Sequence, residues 1–105
     1  IYGPATNLAH AGSLVFNSEC QVRYILGCIG AILENDYQLM ECTEEANAEY
    51  NERLQEWVKQ LVWANGSTNN WYKNSKGKVT ANLPWRLVDY WQWTREPDLS
   101  QYNLS

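Results

Sequence analysis

A chain of 105 residues with a formal charge of −4 has room for one small domain, and it carries no basic stripe to grip a nucleic-acid backbone. No apolar run approaches the ~20 residues that span a bilayer, and Ile1-Tyr2-Gly3-Pro4 has neither the basic start nor the apolar stretch of a secretion signal. The cysteines, Cys20, Cys28 and Cys42, stand at irregular spacing without a Cys-x-x-Cys pattern, so reduced, mostly buried thiols in a cytoplasmic protein are expected.

Ile1-Tyr2 before Gly3-Pro4 reads as the end of a buried strand running into a turn, which predicts a larger sheet-bearing protein behind it. Residues 1–12 are turn-rich. Ser13 suits an N-cap, with Gly12 and Asn7 as alternatives, and Val15, Val22, Ile25, Leu26, Ile29, Ile32 and Leu33 recur at helical spacing. A helix over 13–34 follows, closed by Asn35-Asp36, with Gly27 and Gly30 predicting close approach of a neighbour. Thr43 followed by Glu44 and Glu45 marks a second helix start. Ala46, Tyr50, Leu54, Trp57, Val58 and Leu61 line its apolar face, and Gly66 ends it near Asn65. The short link predicts that the helices of the 13–66 region lie side by side, antiparallel.

From 67 to 95 the chain is rich in tryptophan and asparagine. Ser75-Lys76-Gly77-Lys78 reads as a turn between short strands at 71–73 and 78–80. Pro84 suits a first helical turn, and Leu87, Val88 and Trp91 give a short third helix that stops before Pro97. Residues 96–105 are expected to be a loosely held tail. The fold class is mainly α: a long antiparallel helix pair, a short third helix and an irregular loop with a possible hairpin.

No complete catalytic set is visible. His10 is the sole histidine, so a Cys–His dyad would have to join it to Cys20; a structural or surface histidine is the expectation. Glu34, Asp36, Glu41, Glu44 and Glu45 read as a solvated face. There is no Walker loop and no Gly-x-Gly-x-x-Gly. A Gly-Pro turn feeding a long helix does place backbone N–H groups beside residues 6–14, where they can stabilise an anion or an electron-rich ring. Four of the six tryptophans fall between 71 and 93, more indole than so small a core needs, which suggests a wall that meets a ligand or another domain.

Gly3-Pro4-Ala5-Thr6-Asn7-Leu8-Ala9-His10, then Ser13-Leu14-Val15-Phe16, then Glu19-Cys20-Gln21-Val22-Arg23-Tyr24-Ile25 resembles the last stretch of flavin-dependent Baeyer–Villiger monooxygenases of the hydroxyacetophenone type. That family's pattern is roughly Gly-Pro-Asn-Thr-x-Leu-Gly-His, an apolar run, then Glu-Ala/Cys-Gln-Val-Arg-Tyr. Asn65-Gly66-Ser67, Trp71-Tyr72-Lys73, Gly77-Lys78, Asn82, Pro84, Tyr90-Trp91 and Thr94-Arg95 are similar to its Ser-Trp-Tyr…Gly…Asn-Trp-Pro-Gly…Tyr-Trp…Thr-Arg end. The likeness covers residues 1–95. Asn70 stands in place of the family's serine, Leu83 and Trp85 replace the Trp and Gly around the proline, and Ala9 and Ala11 replace glycines.

The resemblance implies that these residues are the C-terminal fragment of a larger α/β dinucleotide-binding flavoprotein. Its reaction would be FAD- and NADPH-dependent insertion of oxygen next to a ketone carbonyl, or in a close variant oxidation of nitrogen or sulfur. Thr6, Asn7 and Leu8 would lie near the FAD and Trp71 against the nicotinamide cofactor, NADP; no catalytic or metal-binding residue falls in this stretch. The glycine-rich fingerprints would lie upstream, so the 105-residue chain alone should bind neither cofactor and show no turnover. Its partners would be the upstream FAD and NADP domains of the same chain and a small ketone, with no nucleic acid and no membrane. Surfaces those domains cover should make the isolated chain a homo-oligomer. The rival expectation is a non-catalytic helical module that dimerises through the apolar stripes of 13–34 and 43–65.

Overall fold

The computed structural model describes residues 1–8, 12–66 and 69–105. In chain order they form α1 (Leu14–Glu34), β1 (Met40–Cys42), α2 (Glu44–Val58), a 3₁₀ turn at Val62–Ala64, α3 (Leu87–Trp93), a second 3₁₀ turn at Leu99–Gln101 and β2 (Tyr102–Leu104). His10, Ala9, Ala11 and Ser67, all named above, lie outside the described residues. Among the described residues no helix is long and apolar enough to cross a membrane.

Both long helices start at the expected caps. The Ser13 Oγ accepts from the Phe16 N–H at 3.2 Å, and the Thr43 Oγ1 accepts from the Ala46 N–H at 3.2 Å. Each satisfies one of the N–H groups that a helix start leaves without a partner. Asn35 caps the end of α1 and Asp36 turns the chain away with φ 55°. α2 stops at Val58 rather than near Asn65. Leu54 and Val58 are already buried there, and the chain extends at Leu61 so that Trp63 and Ala64 pack against the same core. α3 begins at Leu87, so Pro84 lies in the extended approach to it and not in its first turn.

α1 and α2 make little direct contact along their lengths. The principal helix partner of α1 is α3, not α2. α2 instead presents Leu54 and Val58 to Val79, Leu83 and Trp85, and Cys20, Tyr90 and Ala5 complete the core. α1 buries Asn17, Cys20 and Gln21 and leaves Val15, Val22, Ile25, Leu26, Ile29 and Leu33 exposed. Arg23 holds α3 in place: its Nη2 donates to the Trp91 carbonyl at 2.8 Å and its Nε to the Thr94 carbonyl at 3.3 Å. A cation thus sits on the helix end whose carbonyls and dipole favour one. Gly27 lies against the tail, where an added Cβ would come within 2.8 Å of Pro97 Cδ, whereas Gly30 faces open space.

The tail is not loose. β2 pairs antiparallel with β1, setting Met40 opposite Leu104 and Cys42 opposite Tyr102. Leu39 and Ser105 exchange backbone bonds beyond the strand ends at 2.9 and 3.1 Å. Tyr102 reaches α1, its hydroxyl 2.6 Å from that of Tyr24. Because these contacts join residues far apart in sequence, the local polarity of 96–105 gives no sign of them. The thiols are all free, but, against expectation, only Cys20 is buried; Cys28 is half-buried and Cys42 exposed.

Two expectations follow. Burial, and then the bond to Tyr102, push the Tyr24 phenol above its usual range, and burial does the same to Tyr102. Groups held neutral above their unfolded value of about 10 contribute stability that is whole below that pH and is lost as pH rises through the folded values. The urea midpoint should therefore fall above about pH 10, more in the native chain than in Tyr24→Phe. Leu83 is 0% exposed, and Leu83→Ala should cost about 2–5 kcal/mol in the same unfolding measurement.

Candidate functional site

The Gly3-Pro4 turn is flanked by two side-chain-bearing residues in the left-handed region, Tyr2 at φ 60° and Ala5 at φ 57°. Such backbone persists only where its surroundings over-determine it. The Tyr2 N–H donates to Gln21 Oε1 at 2.9 Å, and its hydroxyl donates to the Leu14 carbonyl at 2.7 Å beside Ser18 Oγ. The Thr6 hydroxyl donates across the turn to the Gly3 carbonyl at 2.6 Å, and Asn17 Nδ2 donates to the Thr6 carbonyl at 3.0 Å. The polar side chains that α1 buries therefore grip this turn. Gln21 also lies beside Tyr90, whose phenol is pushed up by burial and partly brought back by that amide.

The tryptophan-rich stretch folds through its asparagines. Asn74 Oδ1 accepts from the N–H groups of Lys76 and Lys78, both at 3.0 Å, and Gly77 takes φ 77°. That closes a minimal hairpin in which Lys73 pairs antiparallel with Val79 and the Thr80 N–H donates to the Tyr72 carbonyl at 2.9 Å. Asn70 Oδ1 accepts from the Tyr72 N–H at 3.0 Å, the turn-forming bond that a serine could also make. Leu83 and Trp85 are both buried, so the residues that depart from the family pattern serve the core here.

Residues 79–83 then pair on their other side with the Gly-Pro turn. The Ala5 N–H donates to the Thr80 carbonyl at 2.8 Å, the Asn7 N–H to the Ala81 carbonyl at 2.9 Å and the Leu83 N–H to the Asn7 carbonyl at 2.9 Å. Asn7 and Asn82 form a parallel bridge, and Asn7 Nδ2 donates to Asn82 Oδ1 at 2.8 Å.

A cleft of about 460 Å³, open to solvent on one side, lies over this junction. Tyr2, Gly3, Pro4, Asn7, Trp71, Thr80 and Ala81 line it. Its size falls within the range of small-molecule sites, roughly 300–1,000 Å³. Trp71 is 70% exposed, its ring 4.4 Å from that of Tyr72, so it is not a core residue. Of the four expected site residues, Asn7 and Trp71 share the cleft. Thr6 shapes the turn beside it, and Leu8 lies toward Gly12 and Leu87. Among the described residues the lining offers amide, hydroxyl, phenol and indole groups and no carboxylate, lysine or thiol, a set suited to binding and covering a ring.

Sequence reasoning missed Tyr2, Thr80 and Ala81 as lining residues. Gly3-Pro4 was legible only as a turn, because the pairing that gathers these residues joins chain segments some 75 positions apart. A second hollow of about 400 Å³ runs along Val15, Ser18, Glu19, Val22, Arg23 and Leu26. It is one face of a single helix, and the Arg23 guanidinium there is already bonded to α3. Trp85 packs edge-on to Trp93 at 5.1 Å, and Trp91 lies between the guanidinium groups of Arg23 and Arg95 at 5.4 and 5.0 Å. All three rings pack against protein groups, whereas Trp71 lines the cleft. Glu34, Asp36, Glu41, Glu44 and Glu45 are all exposed. Among the described residues no cluster of histidine, cysteine and carboxylate could hold a metal.

No family model matches the chain, and no solved structure matches it. Several curated relatives do. The chain is 35% identical over 102 residues to an uncharacterized monooxygenase, y4iD, of Sinorhizobium fredii, covering 97% of this chain and 15% of the relative. It is 33% identical over 94 residues to the FAD-binding monooxygenase ktnD of Aspergillus niger, covering 86% and 15%. It is 26% identical over 105 residues to a Baeyer-Villiger monooxygenase of Streptomyces coelicolor, covering 99% and 20%. The chain thus spans a fifth or less of the length of these relatives.

Proposed function

Since the chain belongs to the family of FAD-binding and Baeyer–Villiger monooxygenases, we propose that it forms one wall of the cofactor site of an FAD- and NADPH-dependent oxygenase. The observation that carries the reading is the cleft that unites Asn7 with Trp71. A ketone, with oxygen inserted next to its carbonyl, is the substrate we favour because the Streptomyces relative is a Baeyer-Villiger monooxygenase; oxidation of nitrogen or sulfur is the variant. Free thiols suit a reducing compartment such as the cytoplasm.

The residues present fit such a group. The cleft edge at Gly3 offers backbone without side-chain bulk, and a Cβ there would meet nothing within 4 Å. Beneath the same turn, Asn17 Oδ1 and Asn82 Nδ2 are buried without a partner among the described residues. Asn7, with Thr6 and Leu8 beside it, would border the flavin. Trp71 would cover the nicotinamide, its indole N–H free to donate to a ribose hydroxyl and its face keeping water out. When bound, FAD would supply the oxygen-activating redox chemistry and NADPH its electrons.

A one-sided cleft cannot enclose a dinucleotide, and the upstream FAD and NADP domains would complete it. They would also cover the exposed apolar stripe of α1, an extent of apolar surface that monomeric proteins seldom leave open. The isolated chain should therefore bind neither cofactor, show no turnover, and associate with copies of itself.

The test is a chimera of the Sinorhizobium monooxygenase with this chain in place of its matching segment. The chimera should show flavin absorbance and NADPH-dependent oxygen uptake. Trp71→Ala should raise the KM for NADPH by about tenfold, the loss of one interaction worth roughly 1–1.5 kcal/mol, with flavin content unchanged. An unaltered KM would remove Trp71 from the site. Flavin co-purifying with the isolated chain would contradict its predicted inability to bind.

A further inference from the structure

Asn82 is 1% exposed. Its Oδ1 accepts from Asn7 Nδ2, while its own Nδ2 is buried without a partner among the described residues. A leucine would fill this space and leave no stranded donor. What only a group with an acceptor can supply at 82 is the bond to Asn7, and Asn7 stands in the lining of the cleft.

That bond sits at a mechanical junction. The backbone pairing of residues 5–7 with 80–83 consists of three hydrogen bonds, and pairing so short is marginal by itself. A slip of one residue would turn Asn7 to the opposite face. On its other side the same 79–83 stretch carries the Trp71 hairpin, since the Thr80 N–H donates to the Tyr72 carbonyl while the Thr80 carbonyl accepts from Ala5. Asn17, 0% exposed, holds the turn from the α1 side through the Thr6 carbonyl.

We propose that Asn82 is a positioning residue of the cleft: by locking Asn7 in register against residues 79–83, it fixes the Gly-Pro turn and the Trp71 hairpin at one separation, so that the two walls move as one body. This rests on the reading of the cleft as a cofactor site, because fixed separation matters only if one ligand must touch both walls. Asn82 touches no ligand in this role; it acts through Asn7 and the Thr80 peptide.

The test uses the 105-residue chain without cofactor, by amide exchange and the indole N–H resonance of Trp71. Asn82→Leu should speed exchange at Ala5, Asn7 and Leu83 together by about fivefold to tenfold, the worth of one hydrogen bond. It should also shift the Trp71 indole resonance, and leave the Leu39 and Ser105 amides of the β1–β2 pairing at native rates. Asn7→Ala, at a half-buried position, should do the same, and the double variant should go no further than either alone. Unchanged exchange at the three amides in Asn7→Ala would overturn the lock, and faster exchange there with an unmoved Trp71 signal would overturn the coupling. If Asn82→Leu accelerates every amide, the substitution has unfolded the chain and Asn7→Ala decides. Because no cofactor enters the measurement, its failure would leave the chimera result standing, and failure of the chimera would leave the coupling intact.

Discussion

The peptide of Thr80 is bonded in both directions. Its N–H reaches the Tyr72 carbonyl and its carbonyl receives the Ala5 N–H, at 2.9 and 2.8 Å. Nearly everything near the cleft depends on that double bond. It makes residues 79–83 a shared spine with the Gly-Pro turn on one side and the Trp71 hairpin on the other. The same stretch is anchored behind by burial of Val79 and Leu83 and by Gln55 of α2, whose Nε2 donates to the Val79 carbonyl at 3.1 Å. Core and cleft are thus two faces of one short extended segment, and packing energy on one face holds geometry on the other.

α1 shows the same economy with the polarity reversed. Its buried face is Asn17, Cys20 and Gln21 and its exposed face is apolar, the opposite of what a solvent-facing helix normally presents. The buried amides are there to hold the turn, through the Thr6 carbonyl and the Tyr2 N–H. Arg23 on the same helix docks α3 by its last carbonyls. The helix is a bracket for the turn and α3, and under the proposed function its apolar side belongs to contacts with the rest of a longer enzyme.

Features set within a few residues were legible in the sequence. Ser13 and Thr43 cap helices because a hydroxyl there meets an N–H three positions on. The 74–78 turn was visible because Asn and Gly are the residues that tolerate its geometry. Features set across the chain were not. The end of α2 carries no Gly or Pro signal and is imposed by Trp63 and Ala64 seeking the core. The tail pairs with β1 through backbone groups that every sequence has. The apolar period of α1 located the helix correctly but not its inward face, since the deciding partners are backbone atoms of residues 2 and 6. In the site, Asn7 and Trp71 were reached through family resemblance. Tyr2, Thr80 and Ala81 carry no local mark, because long-range bonds gather them, Tyr2 through α1 and the other two through the pairing with residues 5–7.

Under the proposed function, the cleft between Asn7 and Trp71 meets the cofactors. Photo-crosslinking tests it most directly: the chimeric flavoprotein is loaded with an azido derivative of FAD, illuminated, digested and mapped by mass spectrometry. Label is expected on the peptide holding residues 2–8. Label confined to sequence outside the 105 residues, or found on the exposed face of α1, would contradict it.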